Sequence, residues 1–299
     1  MFGAATANGC QAPWAPEIVA GGVSPAARIM APMELSATWY DAIAVRSSQR
    51  RYPATPLADD VVAHLRAFCA AVQPSPNARL VVVDSEVDRL FTGVLGSYGA
   101  VSGAPLAVVF VGRVGAEAEV GYLGEAFVLE ATALGLGTCW IAGSFDKERA
   151  GGLVEPAPGE RVMALTPVGN SLKRLPAGER LMRRVIGASS RLPLEKIAPG
   201  IDGAPPGAAG SPGAPAWPSW ARAAVEAARL APSGVNRQPW RFRYEDGALV
   251  LTRAAKLYWT ALLDFGIAEL HVELGAAHRG VRGTWEPLGE PDVARFVPE

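Results

Sequence analysis

A short polar turn near the C-terminal end of the chain is rich in groups that could bind a ligand. The stretch from Ala231 to Phe242 reads APSGVNRQPWRF and includes Ser233, Asn236 and Gln238. Each amide carries both donors and an acceptor, so the pair can recognise a polar small molecule. The Ser-Gly pair favours a tight turn, and the Pro-Trp pair can fix the strand that follows. The stretch predicts a ligand-binding turn; a purely structural turn is the alternative.

A second polar segment, VRSSQRRYP, spans Val45 to Pro53. It supplies the arginines Arg46 and Arg50 and the serines Ser47 and Ser48. Arginine offers planar, charge-assisted donors, and serine adds a hydroxyl group. Two interpretations are open: the arginines bind a ligand, or they solvate the end of the helix that precedes them.

Several common kinds of catalytic site have no pattern in this sequence. There is no Ser-His-Asp spacing, no G-x-x-x-x-G-K-[ST] loop and no cluster of metal ligands. Cys10, Cys69 and Cys139 are widely spaced and odd in number, which indicates neither a disulfide framework nor a metal site. Cys139 is predicted to be a small buried hydrophobe rather than a nucleophile. His271 is predicted to have a core or capping role.

Composition and charge favour a globular protein with small-molecule partners. The chain has 299 residues, of which 49% are hydrophobic, and a formal net charge of -1. Such a chain can bury roughly three quarters of its unfolded surface, in one large or two ordinary domains. Neither nucleic acid nor an anionic membrane is expected as a partner, because no block of like charge is present. The lack of a membrane span or secretory signal favours a cytoplasmic location.

The hydrophobic pattern predicts alternating helices and strands. Residues 1–32 are rich in Ala, Gly and Pro without periodicity, which indicates a loose extension. Helices are predicted over 34–45, after a Thr-Pro signal at Thr55, and in an almost wholly apolar stretch from Gly121. The runs ARLVVVD, APLAVVFVG and ERVMALTPVGN predict strands, the second of them central. Residues 198–218 are rich in Pro, Gly and Ala and predict an exposed loop.

The later part of the chain repeats this order weakly. SWARAAVEAARL predicts a helix, WRFRYEDGALVLTR two strands joined by an Asp-Gly hairpin turn, and LDFGIAELHVELGAAHRG a second buried helix. Helix, Pro-Ser turn, Asn and strand follow in the same order in both parts, and Gly124 corresponds to Gly266. We therefore expect two fused α+β halves, 33–180 and 181–299.

The two halves differ in the polar groups that they carry. The first has the arginine and serine segment and the glycine-rich GLGTCWIAG, but its Pro-Ser turn is shortened. The second has Asn236 and Gln238, but only GASSRLPLEK where the arginine segment would be. Each half holds what the other lacks, which predicts one composite site at their interface.

Three motifs together resemble the FMN-dependent nitroreductase family. RSSQRRY is similar to the family's R-x-S-x-R-x-Y/F opening, and APSGVNRQPWRF to its A-P-S-x-x-N-x-Q-P-W turn. GEAFVLEATALGLGTCWIAGSF resembles its central helix and the loop that follows. The resemblance covers about residues 34–280 and points to the tandem branch from thermophiles, in which one polypeptide imitates the family homodimer. It implies an α+β nitroreductase-like pseudo-dimer, with a mixed or antiparallel sheet flanked by helices.

The resemblance implies a phosphate grip for FMN in the first half. Arg46, Ser47 and Ser48 would hold the phosphate, which carries about -1.5 to -2 charges near neutral pH. Lys173 and Arg174 resemble a second basic pair that family members direct at the phosphate. A surface basic pair after a strand is an equally open interpretation of these two residues.

The resemblance also implies contacts with the rest of the flavin. Arg50 would reach the ribityl chain or the pyrimidine edge, and Asn236 and Gln238 would bind the imide or the ribityl hydroxyls. A backbone N–H of Ala142 or Gly143 would meet flavin N5. Ala142 stands where typical members often have an acidic residue, so the reactivity at N5 is expected to differ.

The activity implied is that of an FMN-dependent NAD(P)H oxidoreductase with a ping-pong mechanism. NADH or NADPH would give a hydride to N5, and a nitroaromatic, a quinone or a similar electrophile would take the electrons. A flavin-binding or flavin-free module without turnover is the alternative from another class. A dehalogenase-like or flavin-fragmenting relative ranks lower. Either a monomeric pseudo-dimer or a weak homo-oligomer is expected.

Overall fold

The computed structural model describes residues 33–72, 75–91, 101–172, 190–203, 216–258 and 260–299. The expected N-terminal extension, the expected boundary between the halves, Lys173, Arg174 and most of the Pro/Gly-rich stretch lie outside these residues. The predictions made for them stay predictions.

The described residues form helices and strands in the alternation that the sequence predicts. The α-helices are α1 (Ala37–Val45), α2 (Asp59–Ala71), α3 (Glu117–Ala133), α4 (Lys147–Val154), α5 (Leu194–Ile197), α6 (Ser219–Leu230) and α7 (Ala261–Ala277). Single 3-10 turns span Val87–Leu90 and Gly234–Asn236. The strands are β1 (Ala78–Val83), β2 (Leu106–Arg113), β3 (Leu136–Thr138), β4 (Glu160–Asn170), β5 (Trp240–Glu245), β6 (Ala248–Arg253), β7 (Gly283–Pro287) and β8 (Asp292–Pro298).

The strands form two four-stranded sheets with equivalent strand orders. The first sheet runs β1-β2-β4-β3 and the second β5-β6-β8-β7, with antiparallel pairing throughout. Each sheet also has a register irregularity between its second and fourth strands in chain order. This shared topology confirms the predicted nitroreductase-like α+β fold with two fused halves. β2 is flanked by β1 and β4 and almost wholly buried, as its continuous apolar run predicts.

The two long helices, α3 and α7, pack against each other at glycines. A Cβ atom added to Gly121 would collide with the carbonyl oxygen of Leu263, and one added to Gly266 would collide with that of Ala118. The two contacts are reciprocal, as a two-fold relation between the halves requires. They pair Gly266 with Gly121 rather than with Gly124, so the correspondence predicted from the sequence is wrong by about one helical turn.

Two further details differ from the sequence predictions. Helix α2 begins at Asp59 rather than next to Thr55, and the acidic residues Asp59 and Asp60 lie in its first turn. Carboxylates are favourable there because the helix N-terminus carries partial positive charge. The C-terminal strands β7 and β8 were not predicted, because few of their residues are buried and their hydrophobic pattern is weak. Among the described residues, no helix is long and apolar enough to cross a membrane.

Candidate functional site

The arginine and serine segment after α1 lies alongside β3. Ser48 forms a parallel bridge with Thr138, and the backbone N–H of Gln49 donates to the Thr138 carbonyl at 2.8 Å. The carbonyl of Arg50 accepts from the backbone N–H of Ser102 at 3.0 Å. These bonds place Ser47 and Ser48, both partly exposed, next to the strand that leads into the glycine-rich loop.

The buried side chain of Gln49 holds the arginine and serine segment in place. Its Nε2 donates to the Arg51 carbonyl at 2.9 Å. Its Oε1 accepts from the backbone N–H of Leu172 at 3.2 Å, just beyond the end of β4. A Cβ atom at Gly137 would lie 2.8 Å from this side-chain amide, so glycine is needed for the close approach. Sequence reasoning passed over Gln49, although it stands inside the motif.

Arg46, at the C-terminal cap of α1, has its side chain in the interior. The side chain is only 7% exposed, and its Nε lies 4.0 Å from Oε1 of the fully buried Glu125 on α3. Nε has no hydrogen-bond partner in the part of the chain that the structure describes. A buried arginine with a single long ion pair retains donors for a further acceptor.

Glu125 joins residues from both halves. Its Oε2 accepts from the indole Nε1 of Trp140 at 2.7 Å, and its Oε1 lies 3.0 Å from Nε2 of His271 on α7. Nδ1 of His271 lies 3.0 Å from the Ala227 carbonyl, which can only accept, so Nδ1 donates. The Nε2–Oε1 contact therefore holds one proton, on either the imidazole or the carboxyl group. His271 is fully buried, which confirms its predicted core role.

The loop after β3 is anchored on both sides of Trp140. The N–H of Cys139 donates to Oγ1 of Thr166 at 3.0 Å, and Ile141 exchanges two backbone hydrogen bonds of 2.9 Å with Leu165. Ala142 and Gly143 follow this anchor and are partly exposed. The loop's backbone is thus held near Trp140 and Glu125. Cys139 is buried, as its predicted role as a small hydrophobe requires.

The polar turn of the second half has unusual backbone geometry. Val235, Asn236 and Gln238 have positive φ angles of 53°, 55° and 48°. Non-glycine residues keep such conformations when surrounding contacts fix them, and these sites cluster at functional positions. The backbone N–H of Gln238 donates to Oγ of Ser233 at 2.9 Å, which closes the turn.

The carboxylate of Asp264, on α7, binds the backbone of the polar turn. The N–H of Gly234 donates to both carboxylate oxygens, at 3.0 and 3.1 Å. Burial raises the pKa of Asp264 to about 7, although the hydrogen bonds from Gly234 and Thr260 act in the opposite direction. Helix α7 therefore links the two parts of the site, because it carries both Asp264 under the turn and His271 beside Glu125.

The amides of the turn are engaged with the chain itself. Oδ1 of Asn236 accepts from Arg191 and its Nδ2 donates to the Ser190 carbonyl, both at 2.8 Å. Oε1 of the buried Gln238 accepts from the backbone N–H of Leu192 at 2.9 Å. The structure thus brings Arg46, Trp140 and His271 together around Glu125, and it places Ser48 beside Thr138 of β3. It places Asn236 and Gln238 against residues 190–192.

Comparison with known proteins identifies the family. The family model described as "Putative TM nitroreductase" matches residues 38–276. The chain belongs to this nitroreductase family. The comparison with curated proteins finds no match for the chain.

The chain is also similar to solved structures of nitroreductases. The "putative nitroreductase" from Thermotoga maritima is 20% identical, with a TM-score of 0.56 over 90% of this chain and 97% of its own. A nitroreductase family protein from Clostridium novyi NT is 23% identical and has a TM-score of 0.39, covering 47% of this chain and 87% of its own. An FMN-dependent nitroreductase from Clostridium difficile R20291 is 18% identical and has a TM-score of 0.37, covering 45% of this chain and 88% of its own.

Proposed function

We propose that this nitroreductase-family protein is an FMN-dependent NAD(P)H oxidoreductase that reduces nitroaromatic, quinone or similar electrophilic acceptors. The observation that carries the proposal is the buried guanidinium of Arg46, whose ion pair with Glu125 spans 4.0 Å and whose Nε has no hydrogen-bond partner among the described residues. A relative with this fold from Clostridium difficile is named as FMN-dependent.

The polar groups around Arg46 fit the phosphate of FMN. The positive charge of Arg46 is paired with Glu125 only at 4.0 Å, and Glu125 also contacts Trp140 and His271. An anion with several acceptor oxygens would compensate that charge and use the free donors of Arg46. The hydroxyls of Ser47 and Ser48 are partly exposed beside it. Lys173 and Arg174 are proposed as a second contact with the phosphate.

The remaining site residues would orient the flavin. Arg50 is assigned to the ribityl chain or pyrimidine edge, and the turn with Ser233, Asn236 and Gln238 to the imide or the ribityl hydroxyls. The backbone of Ala142 or Gly143 would donate to the ring, on a loop anchored through Ile141. FMN, when bound, supplies hydride acceptance and donation, while these residues supply orientation and charge.

The proposal also covers the electron donor, the oligomeric state and the location of the protein. NADH or NADPH is the proposed electron donor, in a ping-pong exchange with a small-molecule acceptor. One chain would form the whole site as a pseudo-dimer, from halves at about 33–180 and 181–299. The thiol of Cys69, which forms no disulfide, suits a reducing, cytoplasmic compartment.

The visible absorption spectrum of the purified protein tests this function. We expect oxidised-flavin bands, present on isolation or after addition of FMN, that bleach when NADPH or NADH is added without oxygen. Bands that remain unbleached with both donors would contradict the proposed oxidoreductase activity.

A second candidate is a module without flavin, and one observation favours it. Asn236 and Gln238 already satisfy their side-chain oxygens with residues 190–192, as a purely structural turn would. In that case FMN would not bind even at high concentration. The same spectrum, recorded after removal of unbound FMN, distinguishes the two candidates.

A further inference from the structure

Glu125 contacts three functional elements at once. Arg46 belongs to the segment after α1, Trp140 precedes the loop at Ala142, and His271 belongs to α7 of the second half. Both carboxylate oxygens are used, Oε2 by the indole and Oε1 by the imidazole and the guanidinium. No motif identified Glu125 from the sequence.

Glu125 and its partners Arg46 and His271 are buried, which limits the orientations that their side chains can adopt. Glu125 and His271 are 0% exposed, and Arg46 is 7% exposed. A buried charge is tolerated when partners compensate for its lost hydration, and removing one partner leaves the others in an unfavourable environment. Glu125 therefore stabilises the buried orientation of the Arg46 side chain.

Trp140 is held in the same way. Its indole packs against the hydrophobic cores of both halves and lies 4.7 Å, between ring centroids, from Phe110. The hydrogen bond to Glu125 then fixes the rotation of the ring. Because Ala142 follows two residues later, the direction of the indole also constrains the start of the exposed loop.

We propose that Glu125 is a positioning residue of the flavin site. It orients Arg46 and Trp140 on the first half, and its contact with His271 makes that orientation depend on the second half. This inference rests on the proposed function, since it assigns Arg46 to FMN. Glu125 itself is not assigned any contact with the flavin.

The test measures FMN affinity and not turnover. Apoprotein is titrated with FMN, followed by flavin fluorescence, for the wild type, Glu125→Gln, Arg46→Ala and the double variant. Glu119→Gln is the matched control: Glu119 lies on the same helix and is 5% exposed, and its carboxylate accepts from Ser75 in the first-half turn. Thermal unfolding checks that each variant is folded.

We expect Glu125→Gln to raise the Kd for FMN about tenfold, because the ion pair that orients Arg46 is lost. Arg46→Ala should raise it about tenfold or more, and the double variant should match Arg46→Ala, since Glu125 acts through Arg46. Glu119→Gln should stay within about twofold of the wild type. A purely structural role for Glu125 would give additive effects.

An unchanged Kd in folded Glu125→Gln, or additive losses in the double variant, would overturn the inference. If Glu125→Gln does not fold, the same cycle is run with Glu125→Asp, which keeps the charge but shortens the side chain that orients Arg46, and the same two results decide. A separate readout needs no flavin: the indole N–H resonance of Trp140 in the apoprotein should shift in Glu125→Gln. Wild-type protein that does not bind FMN would instead refute the proposed function.

Discussion

Asn236 combines a left-handed backbone, with φ of 55°, and a side chain that bridges to Ser190 and Arg191. Asparagine is among the few residues that adopt this conformation readily, and its amide here also secures the neighbouring segment. Backbone geometry and side-chain chemistry therefore select the same residue type.

The two roles of Asn236 can be separated by substitution. Asn236→Gly removes the amide but permits the positive φ, whereas Asn236→Ala removes the amide and also strains the backbone. We expect Asn236→Ala to lower the free energy of unfolding by about 1 kcal/mol more than Asn236→Gly does. Urea denaturation of both variants measures this difference. Equal losses would mean that the turn relaxes when the amide is gone.

Asp264 should make the stability of the fold depend on pH. Its pKa is raised by burial from 3.8 to about 7, so the folded state binds a proton more tightly than the unfolded chain does. The free energy of unfolding should therefore fall as the pH rises from about 4 to about 7, and this contribution should then level off. At about 1.4 kcal/mol per pKa unit, the change amounts to a few kcal/mol.

Asp264→Asn tests this directly, because an amide can still accept from the Gly234 N–H but does not titrate in this range. Relative to the wild type, the variant should gain stability as the pH is raised from 5 to 8. Chemical denaturation at these two pH values gives the difference. A stability difference that is the same at both values would contradict the raised pKa.

At the scale of elements, the crossing of α3 and α7 depends on small residues. Gly266 has the Ala118 carbonyl where a side chain would begin, whereas Gly151 on α4 has no atom within 4 Å of that position. We expect Gly266→Ala to destabilise the protein by about 1–3 kcal/mol through overpacking. Gly151→Ala should stabilise it by up to about 1 kcal/mol, because alanine favours the helix.

Thermal unfolding of the two alanine variants compares the same chemical change in opposite surroundings. A Gly266→Ala variant as stable as Gly151→Ala would show that the helices can separate at no cost. Glycine would then not be needed where α3 and α7 cross.

The elements that the sequence predicted well are those with a continuous pattern. ERVMALTPVGN corresponds to β4 residue for residue, and the helix predicted from Gly121 corresponds to α3, which begins at Glu117 and ends at Ala133. Strands β7 and β8 were not predicted because few of their residues are buried. The start of α2 was misplaced because a Thr-Pro pair also suits an extended approach to a helix.

The candidate site was only partly predictable, for a different reason. Motifs identify Arg46 and Ser48, but they carry no information on which buried groups lie beneath them. Glu125 did leave one signal, an acidic residue with no other charged residue within one helical turn of it, which requires a partner when buried. Its partner His271 is 146 residues away in the chain, and the packing of α3 on α7 brings the two together. Trp140 reaches Glu125 only because the chain folds back after β3.

At the scale of the whole molecule, the two halves are joined through polar as well as apolar contacts. Tyr122 of α3 donates to Glu273 of α7 at 2.7 Å, and Glu125 and His271 meet 3.0 Å apart at the same helix pair. One hydrophobic core contains residues of α3 together with Leu263, Leu270 and Leu274 of α7. Neither half can bury these groups by itself.

This arrangement predicts how FMN binding responds to dilution. A site shared between two separate subunits loses ligand when the subunits dissociate, whereas a site formed within one chain does not. We expect one FMN per chain, with a Kd that stays constant as the protein concentration is varied over about 100-fold, because covalent linkage keeps the halves together. Titrations at several protein concentrations measure the Kd, and sedimentation of the 31.3 kDa chain gives the oligomeric state. A Kd that rises on dilution, together with dissociation of a larger species, would show that a second copy completes the site.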